Sequence, residues 1–176
     1  LHQEVLDKKD RYLDRPHKAV IFSQFTSLLD MLERELSLEH GLKKVPYVRL
    51  DGSLSPEKRA EAIRTFRGHG HVQVMFCSLK AAGIGLNLTA ADHVILIDPW
   101  WNPSVEDQAV DRVHRLGQQR PVRFLRFVAE NTVEERILQV HAHKRAIVEG
   151  ALGQKSREEL RRMRLDMVTR IFEPIA

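Results

Sequence analysis

Three polar side chains within one short stretch have the chemistry and the spacing to bind an anion. Gln108, Arg112 and Arg115 recur at i, i+4 and i+7. If the segment 105–116 is helical, this spacing places them along one edge of the helix. Each guanidinium presents a planar fork of donors that matches the oxygens of a phosphate. The pattern therefore predicts an edge that faces a phosphate.

A network of internal ion pairs explains the same residues. Glu106, Asp107 and Asp111 lie next to the two arginines in the sequence, and their carboxylates could hold the guanidinium groups within the domain. The residues alone leave both interpretations open.

A loop of small residues, "SLKAAGIGLNL", is a second candidate for contact with a phosphate. Gly83 and Gly85 allow a phosphate to approach the backbone N–H groups, and Ser78 and Lys80 add a hydroxyl and a charge. A tight turn explains two nearby glycines equally well. The chain contains neither a Walker A motif nor a G-x-G-x-x-G fingerprint. The chain thus offers arginines that could contact a phosphate but no loop that could bind the rest of a nucleotide. This combination indicates one half of a nucleotide site that is shared with another domain.

A pair of tryptophans, Trp100 and Trp101, stands between two prolines in "DPWWNP". Aromatic faces in a polar turn can stack on bases or pack on sugars. The alternative, which we favour for Trp100, is packing on the core of the domain.

Composition sets broad limits on the function. The net charge of +4 is compatible with nucleic acid binding without requiring it. The single cysteine, Cys77, is expected to be a buried apolar residue. No apolar run approaches the length of a membrane span, so we expect no membrane partner. No set of four metal ligands is evident, and we predict no metal site. The first residues, without Met, suggest a segment from within a longer protein.

Short apolar runs alternate with helical patterns along the chain, and this alternation must position these groups. Runs too apolar for a sheet exposed on one side predict a parallel sheet covered on both faces. Ligands of such sheets bind beyond the carboxyl ends of the strands, where the chain has "SQFT", "DGS", "SLKAAGIGLNL" and "DPWWNP". The predicted strands are 19–22, 47–50, 72–76, 93–98 and 122–128, and the main predicted helices are 55–66, 103–115 and 132–151.

Four blocks together resemble a known family. In order and spacing, "KAVIFSQFTSLLDML", "LDGS", "SLKAAGIGLNLTAADHVILIDPWWNP" and "EDQAVDRVHRLGQ" are similar to the second RecA-like lobe of Swi/Snf-type DNA-dependent ATPases. "DPWWNP" and "KRAIVEGALG" resemble most the Rad-type and helicase-like transcription factor branch. The resemblance implies an α/β fold, a RecA-like three-layer sandwich with a mainly parallel sheet and a C-terminal helical extension. The implied units are a linker or helix at 1–17, the lobe at 18–152 and a helical tail at 153–176.

The resemblance also assigns roles. Arg112 and Arg115 would be arginine fingers that meet the γ-phosphate of ATP, and Gln108 belongs to the same motif. Gly83 and Gly85 would lie in the loop that links the nucleotide cleft to DNA. The residues expected on the DNA-facing edge are Ser23, Gln24, Gly52, Ser53, Ser78, Lys80 and Trp101.

The implied partners follow from these roles. ATP and Mg²⁺ would be bound mainly by an N-terminal RecA-like lobe of the same protein, and double-stranded DNA by both lobes. Nucleosomes or replication-fork proteins are further expected partners, in the nucleus, in chromatin remodelling or DNA repair. This chain alone would not hydrolyse ATP. The alternatives are an RNA helicase lobe and a non-catalytic module that binds nucleic acid.

Overall fold

Five short strands, each followed by a helix, alternate along the residues that the computed structural model describes, which are 15–37, 45–83 and 85–151. The strands are β1 (Ala19–Ser23), β2 (Tyr47–Leu50), β3 (Val74–Ser78), β4 (His93–Leu96) and β5 (Arg123–Arg126). The helices are α1 (Thr26–Ser37), α2 (Pro56–Gly68), α3 (Leu79–Ala82), α4 (Pro103–Val110) and α5 (Val133–Ala151).

All five strands are parallel and lie in the order β2-β3-β1-β4-β5. Ser23 at the end of β1 pairs with Ser78 at the end of β3, and Phe22 pairs with Leu96 of β4. The carboxyl ends of the strands therefore meet along one side of the sheet, which we call the carboxyl edge. The predicted parallel sheet is confirmed.

Helices cover both faces of this sheet. On one face, Phe22 and Met75 pack with Phe66 of α2 and Ala109 of α4, and all four are at most 1 % exposed. On the other face, Leu29 of α1 packs with side chains of β3. This explains why the three inner strands, β3, β1 and β4, are almost entirely apolar, whereas the edge strands β2 and β5 carry arginines. It also confirms the RecA-like three-layer arrangement.

Local capping sets where two helices begin. The hydroxyl of Ser55 accepts a hydrogen bond from the N–H of Lys58 at 3.4 Å, and Pro56 follows. The side chain of Asn102 accepts from the N–H of Ser104 at 3.3 Å before α4. A cap followed by proline is a strong helix start, because proline lacks only an N–H that has no partner in the first turn.

The helix predicted over 103–115 ends five residues early, at Val110, and continues as turns. The N–H of Leu88 donates to the carbonyl of Arg112 at 2.9 Å, so this carbonyl serves another segment. Gly117, at φ +100°, then reverses the chain in a conformation that favours glycine. The short helix α3 was not predicted, and β3 runs two residues further than expected, to Ser78.

Two predicted units extend beyond the described residues. Residues 1–14 and 152–176, which hold most of the N-terminal segment and the whole C-terminal tail, lie outside them. The boundaries at 18 and 152 stay predictions. Among the helices that the structure describes, none has the length and apolar character needed to span a membrane.

Candidate functional site

A cavity of about 230 Å³ opens among the segments that follow β1, β3 and β4. It brings together four of the predicted site residues, Gln24, Lys80, Gly83 and Gln108. Its remaining wall is apolar and is formed by Leu79, Trp100 and Val105. Residues distant in sequence meet here because the parallel strands deliver their following loops to one edge.

Asp98 fixes the backbone after β1. Its carboxylate accepts hydrogen bonds from the Ser23 hydroxyl at 2.9 Å and from the Gln24 N–H at 3.1 Å. Burial raises the pKa of Asp98, and these bonds only partly oppose the shift. Ser23 is fully buried, so within this pair only Gln24 can reach a ligand directly.

Asp51 organises the "LDGS" turn after β2 in a similar way. Its carboxylate accepts from the N–H and the hydroxyl of Ser53, at 2.8 and 2.5 Å, and from Nε of Arg49 at 2.6 Å. Burial alone would raise the pKa of Asp51, but these bonds outweigh it and lower the pKa. Gly52 and Ser53 are exposed at the carboxyl edge, as expected.

Ser78 and Lys80 have different environments although they are two residues apart. The hydroxyl of Ser78 caps α3 by accepting the N–H of Ala81 at 3.3 Å, and Ser78 is 3 % exposed. Lys80 is exposed and lines the cavity. In this conformation a direct contact with a phosphate is open to Lys80, whereas the Ser78 hydroxyl is enclosed.

Arg112 is tied to the glycine loop. Its Nε donates to the carbonyl of Ala82 at 2.9 Å, next to Gly83. This bond uses only Nε, so within the described residues the terminal NH₂ groups of the fork remain for an external acceptor. The tertiary structure thus joins the two phosphate-binding features that the sequence suggested separately.

Two of the acids near Arg112 and Arg115 in the sequence pair with other arginines. Glu106 pairs with Arg126 of β5, and Asp107 approaches Arg145 of α5 at 3.5 Å. Among the residues that the structure describes, neither Arg112 nor Arg115 forms an ion pair, and Arg115 is exposed. The described residues therefore give no support to the alternative of an internal ion-pair network for these two arginines.

Gly83 and Gly85 lie on the surface beside open space. A Cβ on Gly83 would meet only the carbonyl of Lys80, at an ordinary 3.5 Å, and one on Gly85 would meet nothing within 4 Å. The fold itself therefore does not require glycine at either position. Their nucleotide-binding role stays a prediction that depends on a ligand approaching closely.

The two tryptophans differ in burial, as expected. Trp100 packs against the main core, whereas Trp101 is 54 % exposed. Lys144 of α5 lies over the Trp101 ring, 5.0 Å from its centroid. Trp101 is therefore available to a partner at the carboxyl edge.

Several residues of the site were not found from the sequence. Asp51 and Asp98 position the loops. Each lies within two residues of the end of a strand, and this is the signal that could have revealed them. Leu79 and Val105 line the cavity but read as ordinary core residues. The sequence left open whether Glu106 holds Arg112 or Arg115; Glu106 instead accepts the Trp100 N–H at 2.8 Å and pairs with Arg126.

A separate cluster at the opposite, amino edge of the sheet contains His17, Asp92, His93 and Arg120. Ligand atoms of its two histidines and Asp92 lie within 4.8 Å of one another. The guanidinium of Arg120 bonds to the same carboxylate at 2.8 Å. A cation bound there would face this fixed positive charge, so the group fits a structural role better than a metal.

The match to a family model covers residues 4–117 and is to the helicase conserved C-terminal domain. DNA repair protein rad8 of Schizosaccharomyces pombe is 50 % identical over 138 residues, 78 % of this chain and 12 % of rad8. Helicase-like transcription factor CHR28 of Arabidopsis thaliana is 48 % identical over 139 residues, 79 % of this chain and 14 % of CHR28. The chain thus spans a small part of these relatives.

Two solved structures are similar in fold. The C-terminal part of the Fun30 ATPase domain has a TM-score of 0.66 and 37 % identity, over 70 % of this chain and 38 % of that one. The Sulfolobus solfataricus SWI2/SNF2 ATPase core domain has a TM-score of 0.59 and 35 % identity, over 83 % and 30 % of the two chains. The resemblance drawn from the sequence blocks is confirmed, and the chain belongs to the helicase conserved C-terminal domain family as a C-terminal lobe of the Swi2/Snf2 type.

Proposed function

We propose that this chain is the C-terminal ATPase lobe of a DNA-dependent ATPase that translocates on double-stranded DNA. It would complete a nucleotide site shared with an N-terminal RecA-like lobe of the same protein. That lobe would hold most of ATP and its Mg²⁺, an ion that neutralises phosphate charge. The terminal groups of Arg112 and the side chain of Arg115 would stabilise the charge that develops on the transferring γ-phosphoryl group. Gln108 would help to organise the same surface.

The observation that carries this proposal is that the described residues provide no carboxylate partner for Arg112 or Arg115. Arg112 is oriented by a single bond from Nε to the Ala82 carbonyl, and Arg115 is exposed. Two of the three neighbouring acids, Glu106 and Asp107, pair with other arginines. A guanidinium held in place without a carboxylate partner suits an anion supplied from outside. Because that anion lies on another lobe, hydrolysis would require the lobes to close, and closure would couple chemistry to movement.

DNA would be held along the carboxyl edge. Gln24, Gly52, Ser53, Lys80 and Trp101 are accessible there, and Ser23 and Ser78 would act by fixing the adjacent backbone. Contacts to phosphates are independent of base sequence and sensitive to salt, as a translocating motor requires. Gly83 and Gly85, beside Arg112, would link the nucleotide to this edge.

Similarity to a DNA repair protein and a helicase-like transcription factor supports duplex DNA over RNA as the substrate, and DNA repair or remodelling in the nucleus as the setting. Nucleosomes or replication-fork proteins would be partners of the whole protein. Arg112 and Arg115 have no ion-pair partner among the described residues, and this favours an ATPase lobe over a module that only binds nucleic acid.

The test is ATP hydrolysis by the full-length protein with and without duplex DNA. Arg112→Ala and Arg115→Ala should each lower kcat by about 10³-fold or more, with DNA affinity retained. Arg67→Ala is the matched control, because it removes an exposed arginine near the end of α2, and it should leave kcat unchanged. Retention of kcat in both finger variants, or robust DNA-stimulated hydrolysis by this chain alone, would contradict the proposal.

A further inference from the structure

The peptide of Trp100 is held from both sides by buried side chains. Glu106 of α4 accepts its N–H at 2.8 Å, and His141 of α5 donates from Nε2 to its carbonyl at 2.6 Å. Glu106 and His141 are 1 % and 3 % exposed. Arg126 of β5 neutralises Glu106. Three elements thus fix the backbone of the turn at the carboxyl edge.

Trp101, the next residue, is held differently. Trp101 is 54 % exposed although its neighbour Trp100 packs against the core. The ammonium of Lys144 lies 5.0 Å from the Trp101 ring centroid, and its Nζ also donates to the Trp101 carbonyl at 3.4 Å. A cation over one face of the indole restricts the ring to an outward orientation.

Lys144 and His141 are three residues apart on α5, so they project from one side of the helix. His141 donates a hydrogen bond to the carbonyl of Trp100. Lys144 donates to the carbonyl of Trp101 and contacts its ring. The same helix therefore holds the turn and supports the exposed ring. One indole face lies under Lys144, and the Trp100 ring lies 6.1 Å away at 46°. The remaining exposed part of the ring is open to a partner.

We propose that Lys144 is a positioning residue that holds the Trp101 ring outward in the orientation in which it contacts DNA. This inference rests on the proposed function, which places Trp101 against DNA. Lys144 acts through the ring and not through a phosphate of its own. An exposed aromatic ring that is already oriented loses less conformational freedom on binding.

The experiment measures DNA-stimulated ATPase of the full-length protein as a function of duplex DNA concentration. Lys144→Met keeps the aliphatic stem and removes the charge. It should raise the DNA concentration that gives half-maximal activity by about two- to five-fold, the size expected for an exposed cation–aromatic contact. The kcat at saturating DNA should stay unchanged. Lys144→Arg should restore most of the affinity, and Arg67→Met is the control for loss of one exposed charge.

A double-mutant cycle decides the mechanism. Trp101→Ala should weaken activation by DNA, and adding Lys144→Met to it should have no further effect, because Lys144 acts through the ring. The dependence of log affinity on log salt should be the same for Lys144→Met as for the unmodified protein. A slope smaller by about one would identify Lys144 as a direct phosphate contact and overturn the positioning role.

The outcomes separate this inference from the proposed function. Independent, multiplying effects of Lys144→Met and Trp101→Ala, or no effect of Lys144→Met alone, would overturn the positioning role while the DNA contact of Trp101 stands. If Trp101→Ala does not change the DNA concentration that gives half-maximal activity, the proposed contact of Trp101 with DNA is wrong. The positioning role of Lys144 is then wrong as well. The arginine fingers would still be judged by the kcat of their own variants.

Discussion

Arg112 and Arg120 lie eight residues apart in the same polar stretch, but their side chains have opposite environments in the fold. Arg120 is 6 % exposed at the amino edge, where it bonds to Asp92 at 2.8 Å and to the carbonyls of Arg15 and Pro16 at 2.6 and 3.3 Å. Arg112 forms one bond, to the carbonyl of Ala82, with no carboxylate partner among the described residues. One guanidinium binds within the domain, and the other remains open to a ligand.

The same contrast applies to the two edges of the sheet. At the amino edge, Asp92 receives hydrogen bonds from His17, His93 and Arg120, and its carboxylate is buried. At the carboxyl edge, Lys80 and Trp101 remain exposed beside the cavity. Charges whose hydrogen bonds are satisfied internally stabilise the fold, whereas charges left open are available to a partner. Residue type alone does not distinguish the two cases.

The largest expected effect on stability is at Arg120. Arg120→Ala should lower the free energy of unfolding of the chain by about 3–5 kcal/mol, because it leaves the Asp92 carboxylate buried without its main cation. Arg115→Ala, at an exposed position, should change it by no more than about 0.5 kcal/mol. Urea denaturation followed by circular dichroism measures both. Equal losses in the two variants would remove the distinction between closed and open arginines.

Acidification should change the free energy of unfolding by a smaller amount. Asp92, before β4, and Asp98, after it, should contribute to this change with opposite signs. Burial would raise the pKa of Asp92, but the bonds from His93, Arg120 and His17 outweigh it and hold the pKa below its usual value. The stability that Asp92 contributes is therefore present above about pH 4 and is lost as the pH falls further. Asp92→Asn should be less stable at pH 7 and should lose less stability between about pH 5 and pH 2.

Asp98 is the matched control, because burial raises its pKa. The cost of holding its charge is present at neutral pH and is relieved as the pH falls through its raised pKa. Asp98→Asn should therefore make the loss of stability on acidification at least as steep as in the unmodified chain. Denaturation series at several pH values test this pair. A shallower loss for Asp98→Asn than for Asp92→Asn would reverse the assignment of the two edges.

The smallest effect on stability is expected at Asp107, which directly precedes Gln108 of the proposed finger motif. Its only described ion pair, with Arg145, joins two exposed side chains at 3.5 Å. Asp107→Ala should change the free energy of unfolding by less than about 0.5 kcal/mol and leave the kcat of the full-length protein unchanged. A large loss of kcat would mean that Asp107 holds an arginine finger in the closed, two-lobe state.

Much of the fold could be predicted because the relevant signals are local. The strand over 47–50 and the helix starts near Ser55 and Asn102 agree with the structure, since strand pattern and helix caps depend on a few adjacent residues. Alternation of apolar strands with helices indicated the parallel sheet, and parallel strands imply one edge for the ligand.

The partners of the charged side chains could not be predicted from local sequence signals. Glu106 pairs with Arg126, twenty residues away, and not with the arginines near it in the sequence. The end of α4 depends on a bond to Leu88, and the enclosure of Arg120 depends on residues about 105 positions earlier. The amino-acid sequence by itself determined the family and the alternation of strands and helices, and it indicated the candidate phosphate-binding residues. Only the tertiary structure decided which guanidinium groups remain open, because pairing of charges depends on distance in space.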